Sequence, residues 1–431
     1  MVKPINIGLI GFGNIGTGVV RALNENGRLI ARRLSRPIKI SRIADIDLAS
    51  VRPVKYDKSI LTSDTMSVVK DPSIDIIIEV IGGIKAARKI VETALRRKKH
   101  VVTANKALLA HYGADLLALA RANGVSLLYE AAVGAGIPII RSIAYSYAAD
   151  RIKTIRGILN GTTNYILTGM EEQGCDFHDV LKEAQMKGYA EPDPTFDVEG
   201  YDTAHKLCIL ASMAFGQDIR IDSVFTSGIT LVQKEDLACA RELGYTIKLL
   251  GIARLHKDGK AEVRVHPTLI PRTSMLASIR GVFNAMEIDG EPVGCQMLYG
   301  RGAGWGSTSS AIIGDVMDIA SAIASGAHIP YPVEIPIGQK DIKPMEELMT
   351  AYYIRMTLRD ASGMLAKVSS VFGRNRISIK TVLQKTSDRR GYVCAIFITH
   401  KALEGSVQKA LDMLKEKKLC REKPFVLRVE E

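Results

Sequence analysis

Residues 188–206 read Gly-Tyr-Ala-Glu-Pro-Asp-Pro-Thr-Phe-Asp-Val-Glu-Gly-Tyr-Asp-Thr-Ala-His-Lys, the densest run of chemically capable side chains in the sequence. Pro192 and Pro194 stiffen a loop that presents the carboxylates of Glu191 and Asp197. Asp202 and Lys206 stand four apart where a helix is expected to begin, so their side chains emerge on one face, a turn apart. An ordinary surface ion pair has the same spacing. Acids and a lysine on a proline-stiffened segment better suit a site that grips a small ammonium-bearing substrate and keeps a cation for proton transfer. His205, one position off that face, reads as ordinary surface.

Two other motifs could serve the same chemistry. Gly11-Phe12-Gly13-Asn14-Ile15-Gly16 follows an apolar run, Ile5–Ile10, and opens a helical stretch over Thr17–Asn26. Strand, glycine turn and helix in that order make the G-x-G-x-x-G a dinucleotide fingerprint, with the pyrophosphate on the helix N-terminus. Asp45 closes the second strand, where a carboxylate bonds the ribose 2′-OH and disfavours a 2′-phosphate. Arg42, Arg52, Lys55 and Lys58 lie near enough in sequence to receive such a phosphate, so NAD and NADP both stay open. Thr103-Ala104-Asn105-Lys106 follows another strand at the sheet edge where ligands bind. Lys106 can face the nicotinamide and the reacting oxygen there, or be a solvated lysine at a helix start.

The elements that must position these groups alternate. Strands at Ile5–Ile10, Ile38–Ile43, Asp75–Val80, His100–Thr103 and Ser126–Tyr129 are separated by helical stretches, one through Arg97 after the Gly82-Gly83 turn and one over Ala107–Asn123. This is the pattern of a doubly wound parallel sheet, an α/β Rossmann-type nucleotide domain over residues 1–137. Residues 138–330 carry strands Arg151–Leu159, Tyr245–Leu255 and Ala261–Leu269, the last two joined as a hairpin through the Asp-Gly of Lys257-Asp258-Gly259, and helices Phe177–Lys187 and Thr203–Phe215. They read as an α+β substrate and dimerisation domain, of which 311–330 can pack back on the nucleotide domain. Four prolines, Pro330, Pro332, Pro336 and Pro344, mark a linker over 331–348. Residues 349–431 follow a βαββαβ order, the ferredoxin-like pattern.

The 431-residue chain is 47% hydrophobic and 24% charged, ordinary globular values. Its net charge of +12 is concentrated in residues 1–60 and 351–431. No basic helix with interleaved aromatics and no zinc-finger spacing accompanies it, so neither nucleic acid nor a membrane is an expected partner. No apolar run approaches the ~18 residues of a bilayer span, and the N-terminus lacks a signal-peptide pattern. A cytoplasmic setting follows. The six cysteines are scattered with no C-x-x-C pair, so no zinc is expected.

Taken together, the motifs resemble homoserine dehydrogenases over essentially the whole chain. The resemblance rests on Gly11–Gly16, Thr103–Lys106, the Tyr129-Glu130-Ala131-Ala132-Val133-Gly134-Ala135-Gly136-Ile137-Pro138 segment, Asn160-Gly161-Thr162-Thr163-Asn164, Gly188–Lys206 and Gly300-Arg301-Gly302-Ala303-Gly304. Asp360-Ala361-Ser362-Gly363-Met364-Leu365 resembles the turn of an ACT regulatory domain. The resemblance implies NAD(P)-dependent interconversion of L-homoserine and L-aspartate 4-semialdehyde in threonine and methionine biosynthesis.

By the same resemblance Lys206 and Lys106 are active-site lysines and Asp202 is the catalytic aspartate. Lys206 is the first choice for the proton donor and Lys106 the next. Glu191, Asp197, Thr162, Gly161 and Tyr189 bind substrate. Gly11, Phe12, Gly13, Asn14, Ile15, Gly16, Asp45, Arg52, Gly82, Thr103, Lys106 and Gly302 contact the coenzyme, and main-chain oxygens of Glu130, Val133, Ala135 and Ile137 hold sodium. The ACT unit implies a homodimer or homotetramer and an effector, L-threonine, at Asp360, Gly363 and Asn375; its other reading is assembly alone. A chain cut before Met349 is expected to stay active and ignore threonine. Ile46 stands where many relatives carry arginine, which favours NAD use at least equal to NADP use. A dehydrogenase working through a cysteine nucleophile would need a cysteine in a turn near the coenzyme, and none is so placed. A non-catalytic NAD(P) sensor would not need the lysine and acid run.

Overall fold

A computed structural model describes residues 3–327, 335–338, 342–385 and 391–430. Of the expected linker, 331–334 and 339–341 lie outside the described residues, as do 328–330 of the segment before it.

The first unit runs β1 (Ile5–Ile10), α1 (Asn14–Leu34), β2 (Ile38–Ala44), β3 (Leu61–Thr62), α2 (Thr65–Lys70), β4 (Ile76–Glu79), α3 (Lys85–Arg96), β5 (His100–Thr103), α4 (Lys106–Ala122) and β6 (Leu127–Leu128). Its six strands pair in the order β3-β2-β1-β4-β5-β6, all parallel. That is the dinucleotide-binding order, whose crevice opens at the carboxyl ends of the strands. β1, β4 and β5 are nearly continuous apolar runs because helices cover both faces. β3, only two residues long, leaves no periodic signal in the sequence.

The second unit runs α5 (Ile139–Arg141), β7 (Arg151–Ile158), α6 (Gly161–Gln173), α7 (Phe177–Met186), α8 (Thr195–Val198), α9 (Tyr201–Phe215), β8 (Phe225–Thr226), α10 (Lys234–Glu242), β9 (Tyr245–Leu255), β10 (Ala261–Pro271), β11 (Phe283–Glu291), β12 (Gly294–Arg301) and α11 (Trp305–Ser325). β9 and β10 form the expected hairpin, closed where Gly259 takes φ +84°. Leu207 and Leu210 of α9 and Ile166 of α6 pack with Leu249, Val263 and Val265 in one core. Ile312, Val316 and Ile319 of α11 instead join Ile5, Ile7, Leu9 and Phe12, so this helix completes the nucleotide unit.

The third unit is β13 (Met349–Arg359), α12 (Met364–Arg374), β14 (Ile379–Gln384), β15 (Tyr392–Thr399), β16 (Ala402–Leu403), α13 (Glu404–Glu416) and β17 (Phe425–Val429). Its strands lie in the order β17-β13-β15-β14, with Tyr352, Ile354, Val368, Phe372, Val407 and Leu411 in one core. β17 also pairs in parallel with β10, Thr268 beside Arg428 and Leu269 beside Val429. The second and third units therefore share one mixed eleven-stranded sheet. Among the described residues no helix is long and apolar enough to cross a membrane.

Candidate active site

Asn105 caps α4, its side chain accepting the N–H of Leu108 at 3.0 Å, and this sets Lys106 in the first turn at the end of β5. Gly200 ends the proline-stiffened loop and starts α9, which carries Asp202 in its first turn and Lys206 one turn later. The two helices bring both lysines to one carboxylate. Lys106 Nζ lies 2.7 Å from Asp202 Oδ1, and Lys206 Nζ donates to Oδ2 at 2.6 Å and to the Leu159 carbonyl at 2.7 Å. Asn160, the cap of α6, donates Nδ2 to both Asp197 and Asp202 at 2.8 Å while its oxygen accepts the Thr163 N–H. Thr162 donates its hydroxyl to the Tyr189 carbonyl at 2.7 Å, tying the 188–191 loop to α6. These groups line a cleft of about 360 Å³ whose far wall is Asn284, Arg301 and Gly302 from the β11–β12 hairpin.

Charge and burial compete here. Burial alone would raise the Asp202 pKa, but the ammonium groups of Lys206 and Lys106 hold it well below the carboxylate range. For Lys206 burial wins over Asp202, and its pKa is lowered. For Lys106 burial is outweighed by Asp202, and its pKa is raised. Burial and the neighbouring Asp202 charge raise Asp197.

His205 is not surface. Its ring packs at 5.2 Å on Phe196 and 5.6 Å on His111, and burial pushes its pKa down to about 4. Phe196 in turn faces Lys106 Nζ at 5.3 Å. Glu191 is exposed and stands outside the cleft wall, within electrostatic reach of Lys106.

At the nucleotide crevice, Gly11 takes φ +101° and a Cβ there would sit 2.8 Å from the Val80 carbonyl oxygen. A Cβ on Gly16 would sit 2.1 Å from the Gly11 oxygen, so the turn closes on itself through both glycines. Gly13, which caps α1 with no side chain, has nothing within 4 Å of its Cβ position. The N-terminal end of α1 is thus unobstructed at Gly13, where a pyrophosphate would sit. Gly82 is likewise exposed with no neighbour at its Cβ position.

Three expected coenzyme residues are used internally. The Phe12 ring is buried edge-on to Tyr56 and its N–H is given to Asp45. Asp45 also accepts the Asp47 N–H at 2.8 Å and lies 3.6 Å from Arg52. Thr103 is fully buried and donates its hydroxyl to Glu79 at 2.6 Å. Arg52 clasps the glycine turn through the Phe12 carbonyl at 3.1 Å and lines a hollow of about 690 Å³ with Ser50, Lys55 and Lys58.

The Glu130 loop joins the two units. Its carboxylate accepts the N–H groups of Ile140 and Arg141, and burial raises its pKa to about 7. Gly134 and Ala135 take positive φ, and the Glu130 and Ile137 carbonyls already accept the N–H groups of Val133 and Ile139. Among the described residues no group of three His, Cys, Asp or Glu side chains could hold a metal ion. In the third unit Asp360, Gly363 and Gln384 line a hollow of about 290 Å³. Asn375 is elsewhere, its buried amide bonding the Val371 carbonyl and Met413 sulfur.

Asn160, Phe196 and Arg301 fall within motifs legible in the sequence but carry no role there, and Asn284 lies in no motif. The Asn-Gly pair at 160–161 carries a helix-cap signal; the other three carry no signal of a role.

Family models match in three consecutive segments: Homoserine dehydrogenase, NAD binding domain, over residues 11–130; Homoserine dehydrogenase over 138–317; and ACT domain over 352–415. A homoserine dehydrogenase of Neisseria gonorrhoeae is 40% identical over 431 residues, covering 99% of this chain and 98% of its own. One of Pseudomonas aeruginosa is 42% identical over 421 residues, covering 96% of each. The crystal structure of a homoserine dehydrogenase from Thiobacillus denitrificans matches with a TM-score of 0.92 at 41% identity, covering 100% of this chain and 99% of that one. With three matches in order from residue 11 to residue 415 and relatives aligned almost end to end, the chain belongs to the homoserine dehydrogenase family of NAD(P)-dependent oxidoreductases acting on a CH–OH group.

Proposed function

We propose that Lys206, Asp202 and Lys106 carry the interconversion of L-homoserine and L-aspartate 4-semialdehyde. The observation behind this reading is one buried carboxylate shared by two lysines whose proton affinities move in opposite directions. Titratable neighbours pushed apart in this way suit divided acid–base roles. Lys206, its proton loosened by burial, donates to the substrate oxygen in reduction and takes the proton back in oxidation. Asp202 orients it. Lys106 stays charged and stabilises negative charge developing on that oxygen. Asp197, with Glu191 at the rim, holds the substrate ammonium, and Gly161, Thr162 and Tyr189 position the remainder. A nicotinamide dinucleotide across the Gly11–Gly16 turn supplies hydride transfer when bound. Arg52, Gly82 and Gly302 help hold it. Homoserine-dependent NAD(P)H formation is the expected result with the full-length protein; a folded enzyme that shows none overturns the reading.

The Asp45 charge that favours NAD is offset by Arg52, while Lys55 and Lys58 flank the hollow beyond it. We therefore read both coenzymes as substrates. Replacing Lys55 and Lys58 by alanine together is expected to lower kcat/KM for NADP roughly tenfold, the worth of a charge-assisted contact, and to leave NAD unchanged.

We place sodium at main-chain oxygens of the 130–137 loop, where positive φ at Gly134 and Ala135 turns successive carbonyls. A higher melting temperature in sodium than in choline chloride supports it. L-threonine is assigned to the hollow by Asp360 and Gly363, in a cytoplasmic homodimer or homotetramer. Threonine inhibition lost in Asp360→Ala supports that site; a full-length enzyme indifferent to millimolar-scale threonine leaves the ACT unit an assembly role.

A further inference from the structure

Asn284, second residue of β11, is 1% exposed and lines the cleft. Gly302 lies against its amide, where a Cβ would sit 2.1 Å from Nδ2; a Cβ on Gly161 would meet the Val282 carbonyl oxygen at 2.6 Å and touch Oδ1 only at an ordinary 3.5 Å. The backbone is kept bare at Gly302 to admit this side chain. Yet its buried Oδ1 has no hydrogen-bond partner among the described residues. Buried carbonyl oxygens are rarely left unpaired, because desolvation is then uncompensated. Several other polar groups of the cleft are committed: both lysines to Asp202, Asn160 to Asp197 and Asp202, Thr162 to Tyr189.

We infer that Asn284 is a positioning residue whose side-chain carbonyl accepts a hydrogen bond from an N–H donor of the bound ligands. Two sources supply that donor: the ammonium of the amino-acid substrate, from the Gly161 side, or the nicotinamide carboxamide, from the Gly302 side. A donor fixed there orients its owner beside the paired lysines. The inference rests on the proposed reading of this cleft as the homoserine site.

The test uses full-length wild type, Asn284→Ala and Asn284→Asp, with melting curves as the check on folding. Loss of one hydrogen bond is expected to raise a single Michaelis constant roughly tenfold or more in Asn284→Ala, with kcat nearly kept and with recovery in Asn284→Asp, which retains an acceptor. A rise confined to homoserine identifies the ammonium. A rise confined to the coenzyme, matched by its calorimetric Kd, identifies the carboxamide. A second arm needs no variant: a coenzyme analogue with an acetyl group in place of the carboxamide lacks the N–H donor, and wild type should bind it about tenfold more weakly if the carboxamide is the partner. Unchanged constants in a folded Asn284→Ala, or an Asn284→Asp no better than alanine, overturn the inference. Should Asn284→Ala fail to fold, the Asn284→Asp constants and the analogue decide. A wild-type enzyme inactive with homoserine would instead overturn the reading of the cleft, a distinct result.

Discussion

Asp202 holds ammonium groups at 2.6 and 2.7 Å, but the two lysines are not equivalent. Lys206 is nearly buried, whereas the Lys106 side chain keeps 35% of its surface. Lys206→Ala is expected to lower turnover by roughly 10²-fold or more, the loss of a positioned acid–base group. Lys106→Ala should reach a similar loss through charge stabilisation, with both variants folded by circular dichroism; near-wild-type turnover in either removes that lysine from the chemistry. His205 offers a pH test. Its folded pKa of about 4 lies below its ordinary 6.5, so between those values the unfolded chain binds a proton that the folded chain does not. Stability from this group is intact above that window and lost as pH falls through it. His205→Gln should therefore lose less melting temperature than wild type on acidification across that range, and an equal loss would assign the sensitivity elsewhere.

Helix starts and strand ends do the positioning. α4, α6 and α9 each begin at the cleft, delivering Lys106, Gly161 and Asp202 within their first turns. α1 begins at the glycine turn, where Gly16 leaves the helix no room for a side chain against the Gly11 oxygen. Gly16→Ala should open that turn and weaken coenzyme binding at least tenfold by calorimetry, because backbone, not a flexible side chain, must move. Unaltered coenzyme affinity in that variant would show that the turn tolerates the shift.

At the scale of the whole molecule, the second and third units are built on a shared sheet. β17 carries Glu430 just beyond its end into a cluster with Arg156, Arg254 and Arg264 of β7, β9 and β10. Glu430 is almost fully buried, but Arg156 also pairs with Glu287, and Arg254 and Arg264 with Glu262, so Glu430→Gln removes one carboxylate of a shared cluster and should cost about 2 kcal/mol in chemical denaturation. A change within a few tenths would mean the arginines find other partners. The same joint alters the expectation for a chain cut before Met349. Removing β17 bares the edge of β10 and strips Arg264 of its Glu430 contact, so that fragment should be unstable and its threonine response no fair test. Effector tests belong on the full chain.

Local signals were legible because they rest on neighbours in sequence. The glycine turn after an apolar strand, the apolar runs of β1, β4 and β5, the Asp-Gly hairpin and the four-residue step from Asp202 to Lys206 are signals carried by neighbours in sequence. The motif resemblance likewise reached the lysines and the ACT unit. Tertiary structure alone decided the rest. Lys106 meets Asp202 only because α4 and α9 start at one point in space, and His205 is buried only because α4 and the 196 loop close over it. Asn284 reaches the cleft from β11, a strand that carries no motif, and Asp45 meets Arg52 through a folded loop. Burial, pKa and strand-edge pairing sum contributions from elements far apart in the chain, and a periodicity read along a single segment contains none of those sums.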